Sequence, residues 1–145
     1  MDIKDKEFML SVIKTHQFVT LGTIQHDTYP EVRMILNVLN NAAANLCLHF
    51  FTAKNSSKMQ QIQRNNNCCL YYFDAETRKS LRLFGGFALC GSPHKDSFWR
   101  DDWEAFGYSG KDDPNWTVLQ FTPRFYKFFD GSAEHSGTIN AADMG

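Results

Sequence analysis

What most restricts this chain is the way its β-rich runs follow one another across short turns. Residues 17–26, QFVTLGTIQH, are crowded with β-branched and aromatic side chains and end at the turn signal His26-Asp27-Thr28-Tyr29-Pro30. EVRMILNVL follows as a second strand, and after the loop NNAAAN at 40–45 the chain returns as NLCLHFFT. CCLYYFD and KSLRLFGGFALCG supply two more strands, and WTVLQFT and RFYKFFDG close the set around Pro123. Gly85-Gly86 within the longest of these runs predicts a bulge or a sharp bend at a barrel corner. Helices are few. Residues 2–15 place Ile3, Phe8, Met9, Val12 and Ile13 at helical spacing behind an Asp2 N-cap. Ser56–Asn65 reads as a second helix burying Met59 and Ile62, and SPHKDSFWRDDWEAF, with its Ser-Pro start, as a third. This order, with few β-α-β crossovers, predicts an antiparallel barrel decorated by helices. The polar stretch from Ser132 onward reads as a loosely held tail.

Bulk properties narrow the function more than the fold. A length of 145 residues fits one domain with one core. A net charge of −1 leaves no broad basic surface for a nucleic-acid backbone. No run of about 18 apolar residues is present to span a membrane. The N-terminus, MDIKDKEFML, lacks the apolar core and cleavage site of a signal peptide, so a cytoplasmic protein is expected. Cysteines 47, 68, 69 and 90 form no C-x-x-C pair and read as buried thiols in a reducing compartment. Aromatic content is 14%, with 13 Phe, which suits either a ring-packed core or a site or interface for a flat ligand.

Hydrolytic and metal chemistry find little support. The five histidines are scattered, and no G-x-S-x-G, H-E-x-x-H, EF-hand or P-loop pattern occurs. FFTAKNSSKMQQI at 50–62 is the more informative segment. It sets Thr52, Asn55, Ser56, Ser57 and Lys58 where a strand gives way to a helix. Read alone, Asn55 or Ser56 caps the helix and Lys58 is a surface cation. The rival reading is a phosphate seat, because unpaired N–H groups at a helix start favour an anion. Arg33 bears on the choice. On EVRMILNVL, Val32, Met34, Leu36 and Val38 form one apolar face, and Arg33 shares the other with Ile35, Asn37 and Leu39. If the second and third strands pair, Arg33 and the Thr52–Lys58 turn come together, although a salt bridge to an acid serves Arg33 equally well.

RMIL at 33–36, FFT at 50–52 and SSKMQQI at 56–62, in that order, resemble the flavin-binding core of the pyridoxamine 5′-phosphate oxidase-like flavoproteins. NNNCCLYYF resembles that family's next strand. SLRLFGGFALCG and GKDDPNWTVLQFTP look like its small bacterial general-stress subgroup. The resemblance implies a split β-barrel, mainly β with helices, as one domain over residues 1–131 followed by a tail at 132–145. It also implies a homodimer with FMN, or FAD as the alternative, at the interface. Carried over by position, Arg33, Ser57 and Lys58 meet the phosphate, Ser57 standing where an arginine is usual. Met34, Ile35 and Leu36 lie along the ring and ribityl chain, Phe51 and Thr52 contact the cofactor from the next strand, and Ser80 reaches the ring from the partner subunit.

Departures from the family pattern bear on the substrate. Val38 stands where the oxidase places a lysine for the substrate phosphate. Phe129, His135, Gly137 and Ile139 stand for its tryptophan, its Arg-x-His pair and a further cofactor arginine. A pocket without those cations cannot neutralise a pyridoxamine phosphate dianion. The expectation is an FMN-dependent oxidoreductase of another substrate, with a nicotinamide or small-molecule electron partner. The alternatives are a flavin carrier or sensor without turnover, and a dimeric barrel module that has lost its cofactor. No histidine or cysteine is placed as a haem ligand.

Overall fold

A computed structural model describes residues 1–38, 45–90 and 95–144. Leu39, the NNAAAN loop apart from its last residue Asn45, and the Ser-Pro start at 92–93 lie outside them. Helix α1 (Ile3–Lys14) is capped as expected, the Asp2 carboxylate accepting from Lys4 N–H at 2.7 Å. It drops Met9, Val12 and Ile13 into the core. Strands β1 (Phe18–Ile24), β2 (Pro30–Asn37) and β3 (Leu48–Ala53) follow, then α2 (Ser57–Arg64), β4 (Cys68–Phe73), β5 (Ser80–Leu89), β6 (Trp116–Phe129) and β7 (Glu134–Thr138). A four-residue helix α3 (Ala141–Met144) ends the described chain. No helix among the described residues is long and apolar enough to cross a membrane.

All pairings are antiparallel, in the order β3-β2-β1-β4-β5-β6-β7, and a further β3–β6 ladder closes the first six strands into a barrel. The expected antiparallel barrel with helices is the fold observed. Alternation along each strand decides what is inside. Val19, Leu21, Ile35, Leu70, Leu81, Leu83 and Phe121 fill the barrel, joined by Cys68. Cys69 faces the other way and is half-buried. The apolar face of β2 points outward at its first half, where Val32 and Met34 are exposed, and Arg33 and Ile35 turn inward. Leu36 and Val38 belong to a second cluster outside the barrel, with Phe51, Trp103, Trp116 and Val118. Much of the aromatic surplus is spent there.

Three expectations are corrected. The two closing strands are one 14-residue strand that runs through Pro123. Pro123 has no N–H for a ladder, and it sits opposite the register shift between Phe84 and Gly85, the bulge that the glycine pair predicted. The third helix, whose first residues 92–94 lie outside the described chain, is not continuous: residues 95–96 are helical, a turn follows, and a separate 3-10 helix over Asp101–Phe106 inserts Trp103 into the second cluster. The stretch expected to be a loose tail is also ordered by the sheet. Residues 134–138 pair with β6, Ile139 is buried, and the N-terminal ammonium lies 3.4 Å from Asp143 Oδ1.

Candidate functional site: a cleft where β2 and β3 part

Among the described residues, strands β2 and β3 pair at Leu36–Phe51 and Asn37–Phe50, with Val38 N–H donating to the His49 carbonyl at 3.0 Å beyond them, whereas β3 and β6 pair along six positions. The divergence opens a cleft of about 250 Å³ on the outside of the barrel. Met34, Ile35 and Leu36 line one wall, and Phe51, Thr52 and Lys58 line the other. Of the residues singled out in the sequence, six thus share one cleft. Phe18, Ala53, Phe106 and Tyr108 complete it.

The polar end of the cleft, at Thr52, and the start of α2 next to it, at Ser56, carry unspent hydrogen-bonding capacity. The hydroxyls of Thr52 and Ser56 are buried with no hydrogen-bond partner among the described residues. Ser56 precedes α2 as its N-cap residue in extended conformation, yet its side chain makes no cap bond, contrary to the simple capped-turn reading. A buried polar group without a partner costs about 1–3 kcal/mol, so one such hydroxyl at the end of β3 and another at the start of α2 leave hydrogen-bonding capacity that a ligand could use. Lys58 adds the charge and makes no ion pair among the described residues. Its ammonium is held below the ordinary lysine range by burial and, second, by the neighbouring Arg33 charge. Lys58 and Tyr108 are the only titratable groups among the described residues lining the cleft.

The remaining sequence candidates stand elsewhere. Arg33 points inward and is held by Glu31, Thr23 and Gln61, so the salt-bridge reading describes its contacts. Ser57 begins α2 and is exposed. Ser80 lies on β5 opposite Phe73 and Phe129, outside the cleft's lining. Val38 is buried in the aromatic cluster, Ile139 is buried beside the barrel core, and His135 stacks on Phe128 with Nε2 2.8 Å from Asp130 Oδ2. Sequence reasoning missed Phe18, Phe106 and Tyr108, because only the fold of residues 95–108 brings the last two to the cleft. It also missed Glu31, Thr23 and Gln61, although a carboxylate two positions before Arg33 was a readable signal.

A six-stranded antiparallel barrel with a cleft where two strands part, beside a helix start, defines the split-barrel class. The family model for pyridoxamine 5′-phosphate oxidase matches residues 6–129, and the chain belongs to that family. No curated protein matches the sequence. Among solved structures, a Clostridium acetobutylicum protein related to general stress protein 26 superposes with a TM-score of 0.83 at 22% identity, over 96% of this chain and 97% of that one. General stress protein 26 of Bacillus anthracis gives 0.78 at 17% identity, over 94% and 100%. A pyridoxamine 5′-phosphate oxidase-related, FMN-binding protein of Nostoc punctiforme gives 0.65 at 18%, over 92% and 94%. The expected split-barrel fold and family are those found.

Proposed function

We propose that the cleft binds FMN, with the phosphate at Lys58 and the hydroxyls of Thr52 and Ser56 and within reach of Arg33, whose charge already acts on the Lys58 ammonium. The observation that carries this is that the buried hydroxyls of Thr52 on β3 and Ser56 at the start of α2, and the Lys58 cation near them, have no hydrogen-bond or ion-pair partner among the described residues. Membership of the family and the Nostoc protein's description as FMN-binding support it. A flavin supplies hydride and electron transfer once bound. This chain's part is to fix the phosphate, to hold the ring against Met34, Ile35, Leu36 and Phe51, and to keep water from that apolar wall.

The proposed activity is FMN-dependent oxidoreduction with a nicotinamide or small-molecule partner. Among the described residues the cleft offers Lys58 and Tyr108 as its titratable groups and no carboxylate or imidazole, which suits hydride or electron transfer better than group transfer. Pyridoxamine phosphate is not the substrate in this reading, because Val38 and Ile139 are buried apolar residues and His135 is engaged by Asp130. A cleft of about 250 Å³ is also small for a whole cofactor, so we propose that a second copy covers the ring. The same scarcity of acids and bases favours, as a second reading, a carrier that holds flavin without turnover. Photoreduced protein that passes electrons to no acceptor would select it.

The test is flavin co-elution after FMN is added to purified, dialysed protein and to the Arg33→Ala/Lys58→Ala double variant. Wild type emerges yellow and the folded variant colourless. A folded variant that stays tightly yellow overturns the site.

A further inference from the structure

The hydrogen bonds of Arg33 are already engaged. One guanidinium nitrogen donates to Thr23 Oγ1 and, at 3.3 Å, to the Glu31 carbonyl. The other lies 2.9 Å from Glu31 Oε2 and donates to Gln61 Oε1 at 2.8 Å. Gln61 donates through Nε2 to the same carboxylate oxygen, and Thr23 donates to Gln61 Oε1 at 2.6 Å. β1, β2 and α2 are joined by a network in which every member has a partner. Gln61 stands three residues after Lys58, so the network and the cation share a face of α2. Thr23 is buried, and the side chain of Glu31 is 39% exposed against 19% for Arg33.

From this geometry we infer that Glu31 is an internal competitor for the phosphate: the anion must take Arg33 from Glu31, which makes the cofactor exchangeable. The inference rests on the flavin reading above. Two cations and one carboxylate leave the seat at a net single positive charge. A phosphate monoester brings about −1.5 to −2, so it is not neutralised while Glu31 is charged. Nor does the guanidinium gain hydrogen bonds by the exchange, since those it would make replace those it has. Glu31 thereby sets how far the site favours a phosphorylated over an unphosphorylated flavin. Its effect falls on the phosphate, and the ring wall formed by Met34, Leu36 and Phe51 is untouched by it.

Glu31→Gln removes the charge and keeps the shape, and Glu31→Ser removes both charge and length. The measurement is the dissociation constant of FMN and of riboflavin for wild type and both variants, by quenching of flavin fluorescence, with a thermal melt to establish folding. The expected result is at least about fivefold tighter FMN in both variants with riboflavin unchanged, a typical coupling for a direct competitor. FMN affinity that is unchanged or weaker in folded variants, against a wild type that binds FMN, overturns the inference and leaves the flavin reading standing. So does an equal shift for FMN and riboflavin, which marks a structural effect. A wild type that binds neither flavin overturns both.

Discussion

Lys58 is the residue on which the site turns, and its environment gives it a distinctive pH response. Burial and the Arg33 charge both disfavour its ammonium, so it loses its proton at a lower pH than an exposed lysine. The charged form, which meets the phosphate, is complete below that depressed pKa and lost above it. FMN affinity should therefore weaken on the alkaline side earlier than an ordinary lysine would allow, read as a bend in the dissociation constant against pH. Lys58→Arg should move the bend out of range, because a guanidinium stays protonated throughout. Lys58→Ala should remove it at the cost of about 1.5–3 kcal/mol of binding, the worth of a charged hydrogen bond. A bend that survives in Lys58→Ala would assign the titration to another group.

Among the elements, β5 shows how a backbone position can govern the barrel. At the Phe84/Gly85 register shift, β5 passes so close to β6 that a Cβ on Gly85 would lie 2.1 Å from the Thr122 carbonyl oxygen and 2.9 Å from Pro123 Cα. These are backbone atoms and cannot swing aside. Gly85→Ala should destabilise the fold by about 3 kcal/mol or more, as overpacking against fixed atoms does. Urea unfolding with an unchanged midpoint would show that the strands part there without cost. Element α2 behaves differently. Its buried Met59 and Ile62 fasten it to the core, while its N-cap Ser56 hydroxyl has no partner among the described residues, so packing holds a helix start that capping does not.

At the scale of the whole molecule the outer sheet face is the conspicuous surface. Val32, Gly22, Cys69, Phe84 and Phe125 lie in register across five strands, and Val32 and Phe125 are exposed. Met34, Thr20 and Tyr71 form the adjoining row, with Met34 and Tyr71 exposed. A groove of about 560 Å³ runs along the first row. The proposed homodimer would cover this exposed apolar face, which adjoins the cleft through Met34. Light scattering should give twice the chain mass for wild type, and Val32→Lys should yield folded monomer with weakened FMN binding. Wild-type monomer that holds FMN tightly would refute an interface site.

Much was written locally. Period-two alternation and turn residues gave the strands, Asp2 and the spacing behind it gave α1, and the glycine pair gave the bulge. The order RMIL, FFT, SSKM was enough to gather six cleft residues, because neighbouring strands in an antiparallel sheet bring short motifs together. What the sequence alone did not settle is long-range. Residues 134–138 look polar in isolation and are held by ladder hydrogen bonds to β6, which are independent of side-chain character. The segment at 95–108 carries helix-like signals, yet Trp103 is drawn into a cluster assembled from β2, β3 and β6. The partner of Arg33 was open between an anion and a carboxylate, and only the packing of α2 over β1 and β2 brought Glu31, Thr23 and Gln61 around it. Local pattern determined which strands form. Tertiary packing decided which charges and hydroxyls were left for a ligand, because pairing depends on distances that sequence spacing does not carry.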